Sequence, residues 1–141
     1  MALKMTIDEI TVLLAGVFPQ IDGDFTIEVL DEQAVEVRMH VTEKHLRPGG
    51  TVSGPSMFSL ADVVMYIAVL SQIGPEALTV TTNCSIDFMR KPAATDMIGK
   101  ARILKMGRTL AVGDVLLYSE GVEMPVARAN LTYAIPPKSL G

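Results

Sequence analysis

The sequence predicts an α+β fold in which one long buried helix is wrapped by a curved antiparallel sheet of about five to six strands. Three observations predict it. From Pro55 to Ile73 the chain reads PSMFSLADVVMYIAVLSQI, apolar on nearly every side with one charge, Asp62, and a helix apolar all round has to be buried. Two short alternating segments precede this stretch, and a series of long strand-like runs with short breaks follows it; short breaks between alternating runs join antiparallel neighbours. A chain of 141 residues, 49% of them apolar, is one domain of ordinary size with enough apolar mass to cover such a helix, so one domain over 1–141 is expected.

Residues Thr6 to Val17, TIDEITVLLAGV, place Ile7, Ile10, Leu13, Leu14 and Val17 at helical spacing behind a Thr6 cap and early acids. That pattern is an amphipathic helix over 6–17, expected to lie along one edge of the fold. Asp24 to Leu30 and Ala34 to Val41 alternate, and Asp31-Glu32-Gln33 between them makes a hairpin. The loop His45-Leu46-Arg47-Pro48-Gly49-Gly50 is irregular because of its proline and glycines. The central helix spans about 55–73 and ends at Gly74-Pro75. Leu78 to Met89 alternates, with Leu78, Val80, Thr82, Cys84, Ile86 and Phe88 on the face expected to cover the helix and Thr79, Thr81, Asn83, Ser85 and Asp87 on the other. Lys91 to Asp96 is a turn, Met97 to Met106 a strand, and Gly107-Arg108 a tight connection into Thr109 to Tyr118. Ser119-Glu120-Gly121 turns into the last strand, Met124 to Ile135, so the whole stretch after the helix reads as a meander.

Composition narrows the function. A net charge of -4 argues against a general nucleic-acid binder. The apolar stretch between Pro55 and Gly74 falls short of the roughly 20 residues of a membrane span and carries an acid at its middle, so no membrane partner is expected. One cysteine, Cys84, excludes an internal disulfide, and the N-terminal residues lack the pattern of a secretory signal, which together suggest a cytoplasmic setting. His40 and His45 are the two histidines, and neither lies in a cluster with metal-ligand spacing.

Asp62 is the residue that needs a reason. A carboxylate in so apolar a helix must find hydrogen-bond donors or shift its pKa, and either condition suits a catalytic group; a structural acid capping a loop is the competing reading. The start of the helix supplies a second feature. Gly54 permits a sharp turn and Pro55 suits the first helical positions, which leaves N–H groups at the positive end of the helix dipole facing a developing negative charge. Gly54 and Asp62 are eight residues apart, roughly 12 Å along one helix, so they cannot both touch one carbonyl. If both act in one reaction, two copies of the helix must lie antiparallel, which predicts a two-fold homodimer with two shared sites. Six of the 12 Lys and Arg residues fall between positions 90 and 108 against one acid, Asp96. That excess could meet phosphates, with Arg108 favoured because Gly107 shapes its turn, or could be ordinary solvated strand and turn charge.

Taken together, His45-Leu46-Arg47-Pro48-Gly49-Gly50-Thr51-Val52-Ser53-Gly54-Pro55, Leu60-Ala61-Asp62, Ile86-Asp87-Phe88-Met89-Arg90-Lys91-Pro92, Gly107-Arg108 and Ala129-Asn130-Leu131-Thr132-Tyr133 resemble the hotdog-fold acyl-CoA thioesterases of the phenylacetate-degradation type. The resemblance covers about His45 to Tyr133. It implies a dimer with one continuous sheet, often paired into a dimer of dimers, and an active site between subunits. It further implies a catalytic set of Asp62, as base or nucleophile, the partner chain's Gly54 N–H on the thioester carbonyl, and Ser53 where the family carries histidine. Tyr66 would contact the acid, the pantetheine arm would follow Thr81 to Asn83, and coenzyme A phosphates would fall near Arg90, Lys91 or Arg108. No cofactor is implied, because coenzyme A is part of the substrate. The chain departs from the family pattern at Arg47 (family Asn or Gln), Ser53 (His) and Pro55 (Gly). Pro55 lacks an N–H but leaves that of Gly54, and Arg47 introduces a cation that could hold a carboxylate, a phosphate or Asp62 itself. Met57, Phe58, Met65 and the first helix are expected to line an adaptable acyl pocket. A second reading is a module that binds an acyl-CoA or acyl-carrier thioester without cutting it.

Overall fold

Thr6 and Glu9 close the start of the first helix, α1 (Ile7–Val17), reciprocally: the Glu9 N–H donates to the Thr6 hydroxyl at 3.1 Å and the Thr6 N–H to the Glu9 carboxylate at 3.0 Å. Both donors would otherwise be left without partners at the helix end. The structure, a computed structural model, describes residues 2–137; the last residues of the expected 1–141 domain lie outside that range. After α1 the chain forms the hairpin of β1 (Phe25–Leu30) and β2 (Val35–Met39), whose turn is held by the Asp31 carboxylate accepting the N–H groups of Gln33 and Ala34, each at 2.8 Å. The long helix α2 (Gly54–Ile73) follows, then β3 (Val80–Phe88), β4 (Met97–Met106), β5 (Leu110–Ser119) and β6 (Ala127–Ala134).

The six strands form one antiparallel sheet in the order β1-β2-β4-β5-β6-β3, and α2 packs against β2, β3, β4, β5 and β6. This is the hotdog arrangement. Leu60, Val64, Ile67 and Leu70 of α2 are fully buried. Gly113 on β5 lets the helix approach closely, since a Cβ there would stand 2.5 Å from the Met65 side chain and 2.6 Å from a backbone oxygen. At 20 residues α2 is long and apolar enough to cross a membrane, contrary to the length expected from sequence, but 72% of its most apolar window is buried inside the fold. Burial, not length, accounts for its composition.

Two further expectations are corrected. Only β4, β5 and β6 form a meander; β3 lies beyond β6, not beside β4. The segment read as a turn before β4 is a crossover along the end of the sheet. It is pinned by the Met89 and Arg90 N–H groups on the Val126 carbonyl (2.8 and 3.1 Å), by the Ala93 N–H on the Ser119 hydroxyl (2.9 Å) and by Glu120 N–H on the Asp96 carbonyl (2.9 Å). The inward face of β3 also changes partway. Thr81 pairs with Tyr133 and Asn83 with Thr132, so Thr82 is an extra, bulged residue, its hydroxyl donating to the Thr132 carbonyl at 3.2 Å. One inserted residue exchanges the faces of everything before it. Leu78 and Val80, expected inside, are therefore 83% and 56% exposed, while Thr79 is buried.

Candidate active site

The bulge determines what Asp62 meets. Because the faces of β3 exchange at Thr82, Thr81 turns toward α2, and its hydroxyl donates to Asp62 Oδ1 at 2.6 Å. Opposite it on β6, Tyr133 is 2% exposed, and its phenol donates to the same carboxylate oxygen and approaches the Asp62 carbonyl at 2.9 Å. Both donors converge on Oδ1, so the carboxylate is fixed in one orientation with Oδ2 left to the cleft. Burial, reinforced by the negative charge of Asp62, pushes the Tyr133 phenol well above its usual range. Tyr133 therefore stays a neutral donor at any physiological pH. Cys84, next along the inward side of β3, is likewise raised by burial and then by Asp62, which keeps it a thiol rather than a competing nucleophile.

Asp62, Thr81 and Tyr133 line a cleft of about 540 Å³ whose remaining wall is Val17, Phe18, Gln20, Val63, Tyr66 and residues 77–80. Tyr66 belongs to it, but not in the role the resemblance implies. Its hydroxyl donates to the Ala77 carbonyl at 2.7 Å, and its ring stacks on that of Tyr133 with centroids 6.1 Å apart. Tyr133, not Tyr66, contacts the acid. An inward tyrosine in the alternation Ala129, Leu131, Tyr133 was the available signal, since a buried phenol needs a partner. Met57 and Met65 are core residues, 5% and 0% exposed, and are not cleft walls; Phe58 is 40% exposed on the first turn of α2. The α1 end does contribute, through Val17 and the following Phe18.

The first turn of α2 presents the second feature. Ser53 caps the helix, its hydroxyl accepting the Ser56 N–H at 3.2 Å, while the Met57 N–H donates to the Ser53 carbonyl at 3.0 Å. Pro55 has no N–H. A helix end leaves its first N–H groups without intrahelical partners, and here capping and proline remove all but that of Gly54. A Cβ on Gly54 would lie 3.6 Å from the Phe88 ring, an ordinary contact. The loop before the helix is anchored by His45, 7% exposed, whose Nδ1 accepts the Thr42 N–H at 2.9 Å and whose carbonyl accepts the Ser53 N–H at 2.8 Å. The proton is thereby assigned to Nε2. Arg47 sits at the exposed loop tip, where its backbone bonds to Thr51 and Gly50, each at 2.9 Å. Its side chain pairs with no acid among the described residues, so it does not bridge to Asp62 within the chain.

The expected phosphate ligands do not converge in one protomer. Arg90 and Lys91 are exposed just past β3, near Phe88 and the Gly54 end of α2; Arg90 donates to the Pro125 carbonyl at 2.8 Å. Arg108 stands at the other end of α2, on a separate cleft of about 540 Å³ shared with Gln72, Ile73, Met106, Thr109 and Ile135. Gly107 is required there by close packing, since a Cβ would lie 3.0 Å from the Leu110 carbonyl oxygen. Within the basic stretch, Arg102 is held by both oxygens of Asp114 at 2.8 and 3.0 Å, and Lys100 lies over the Tyr118 ring. Asn83 is exposed on the strand edge just beyond the bulge.

Comparison with known proteins places these residues in a family context. The thioesterase superfamily profile matches residues 49–126. A crystal structure of a Silicibacter sp. TM1040 protein, provisionally described as a thioesterase, is 59% identical with a TM-score of 0.91, over 97% of this chain and 96% of that one. A Pseudomonas aeruginosa protein provisionally described as an esterase is 28% identical over 115 residues, 81% of this chain and 84% of its own length. A mutant structure of a phenylacetic acid degradation protein from Thermus thermophilus shares the fold, with a TM-score of 0.70 at 23% identity over 84% of this chain and 99% of that one.

Proposed function

We propose that this chain, which belongs to the thioesterase superfamily, hydrolyses an acyl-CoA thioester to the free acid and coenzyme A. Family membership supports thioester hydrolysis in general. The observation that carries the finer reading is Asp62 itself, a carboxylate fixed through one oxygen by Thr81 and Tyr133 with the other oxygen toward a cleft. Two routes use that oxygen. As a base, Oδ2 takes a proton from water while the water oxygen bonds to the thioester carbon; the thiolate then leaves and is protonated. As a nucleophile, Oδ2 attacks the carbon directly, coenzyme A thiolate leaves, and water hydrolyses the resulting mixed anhydride. In both, negative charge develops on the carbonyl oxygen and needs a donor.

The unspent Gly54 N–H is the candidate donor, at the positive end of a 20-residue helix. It must come from a second copy, because Gly54 and Asp62 of one chain are roughly 12 Å apart along the helix. The free edge of β3 supports pairing of two copies: it ends the sheet, and Val80 and Phe88 along it are 56% and 51% exposed. Unpaired strand edges favour such association. In this homodimer, and in any pairing of dimers built on it, the nucleotide end of coenzyme A would meet either Arg108 or the Arg90 and Lys91 pair. Whichever substitution to alanine raises KM for acyl-CoA without lowering kcat identifies which of the two.

The test is free-thiol release from a panel of short, medium and aromatic acyl-CoAs. Turnover that is lost in Asp62→Asn with dimer and circular dichroism intact supports the reading. Tight acyl-CoA binding with no thiol release would overturn it in favour of a binding module.

A further inference from the structure

We infer that the acyl group taken by the Asp62 cleft carries a hydroxyl or carbonyl oxygen beyond the thioester, and that Thr79 is the residue that recognises it; this rests on the reading of that cleft as the thioester site. Thr79 is 5% exposed, and its hydroxyl is the one buried side-chain polar atom without a hydrogen-bond partner among the described residues. Buried hydroxyls in folded proteins are nearly always paired, and an orphan calls for a reason. The fold does not supply one. Thr79 precedes β3 with its N–H already donated to the Glu76 carbonyl at 3.0 Å, so the side chain is not needed to hold the turn. Valine would give the same β-branched volume with no polar atom to desolvate.

Its surroundings point to a ligand instead. Thr79 lies two residues before Thr81 on the same inward side and lines the same cleft as Asp62. The other hydroxyls of that wall are already committed: Thr81 and Tyr133 to Asp62, and Tyr66 to the Ala77 carbonyl. Beyond them the wall is apolar, formed by Val17, Phe18, Val63, Ala77, Leu78 and Val80, apart from Gln20, which is exposed at the rim. A largely apolar cleft with a small number of polar groups, of which the Thr79 hydroxyl is the buried one left uncommitted, is the usual plan of a site that selects one oriented ligand. Rotation of Thr79 about a single side-chain torsion exchanges its hydroxyl and methyl between wells, so a bound oxygen can draw the hydroxyl toward it. A site built to pair with a substrate hydroxyl also discriminates strongly against the analogue lacking it, because its own polar group is then left unpaired.

The experiment uses matched acyl-CoA pairs that differ only by a hydroxyl, placed successively along chains of equal length, with thiol release measured for the full-length wild type, Thr79→Val and Thr79→Ser. For at least one hydroxyl position the wild type should favour the hydroxylated member by about tenfold or more in kcat/KM. That ratio should fall to near one in Thr79→Val and persist in Thr79→Ser. A wild-type ratio near one at every position, or a ratio that survives Thr79→Val, overturns the inference and means that water alone occupies the site. Calorimetric binding of the same pairs as non-hydrolysable thioethers separates the two claims. Discrimination in binding without thiol release would sink the hydrolase reading and keep this one. Thiol release without discrimination in either assay would do the reverse.

Discussion

Asp62 and Gly54 belong to the same helix and meet opposite surroundings. Every partner of the Asp62 side chain comes from its own chain: Thr81 from β3, Tyr133 from β6, and the apolar wall from the end of α1. Gly54 faces outward beside Phe88 and near Phe58, which are 51% and 40% exposed, and its N–H is left over after capping and proline have dealt with its neighbours. The middle of the helix holds an acid that a single chain positions completely. Its N-terminal end holds a donor whose use depends on something outside the chain. The difference teaches that folding can prepare a carboxylate in advance while leaving the electrophilic half of a site to be completed by assembly.

The largest effect should come from the completed half. Asp62→Asn keeps an oxygen for Thr81 and Tyr133 but replaces the free Oδ2 by an amide that can neither accept a proton nor attack. Thiol release should fall by roughly a thousandfold or more with the circular dichroism spectrum unchanged; near-normal turnover would remove Asp62 from the chemistry. Next is Gly54→Pro, which deletes the spare N–H. Ser53 is already extended, as a residue before proline prefers to be, so the backbone accommodates the change better than most. Losing one such donor should lower kcat by about a hundredfold or more, whereas Gly54→Ala, which keeps the N–H and meets Phe88 only at contact distance, should lose far less. Mixing Asp62→Asn with Gly54→Pro then tests the shared site. A randomly mixed dimer population restores one intact site in half of its molecules, about a quarter of wild-type activity. No recovery after verified subunit exchange would mean that the two residues do not serve one site across a dimer.

A smaller change probes the acid's support. Tyr133→Phe removes one of the two hydroxyls on Oδ1 and leaves Thr81 in place. Thermal unfolding should show a loss of about 1 to 2 kcal/mol for the buried bond, and kcat should drop by around tenfold as the carboxylate gains freedom. Thr81→Val combined with it should cost more than the sum of the two single changes, because the second donor then no longer substitutes for the first.

The sequence made the central helix legible because nineteen residues with one charge leave no alternative to burial. The strands were legible by alternation, and Thr6, Pro55 and Asp31 by their local hydrogen-bonding habits. What was not legible turns on single residues. The bulge at Thr82 has no compositional mark within Thr81-Thr82-Asn83, yet it reverses which of Thr79, Val80 and Thr81 faces the helix. Without it Thr81 was assigned to the substrate arm, and Tyr133 had no visible reason to meet Asp62. The segment Lys91 to Asp96 reads as a hairpin turn, and only pairing across the sheet shows that it is a crossover and that β3 lies beside β6. Side-chain type showed that Asp62 needed donors; long-range register selected them.

The smallest effect concerns Ser53, which the resemblance places in the catalytic set and the structure shows as a cap. Ser53→Ala frees the Ser56 N–H and should cost about 1 kcal/mol of stability, seen as a melting temperature lower by roughly 3 to 5 °C for a chain of this size. The Gly54 N–H is untouched by that change, so kcat should fall only a few-fold, through loosening of the first turn. Ser53→Asn decides between the two roles. Asparagine caps a helix as well as serine does but has no hydroxyl, so if capping is the whole contribution it restores both melting temperature and turnover. Recovery of the melting temperature alone would mean that the Ser53 hydroxyl itself meets the substrate, and the exposed end of α2 would then hold two reacting groups where the geometry supports one.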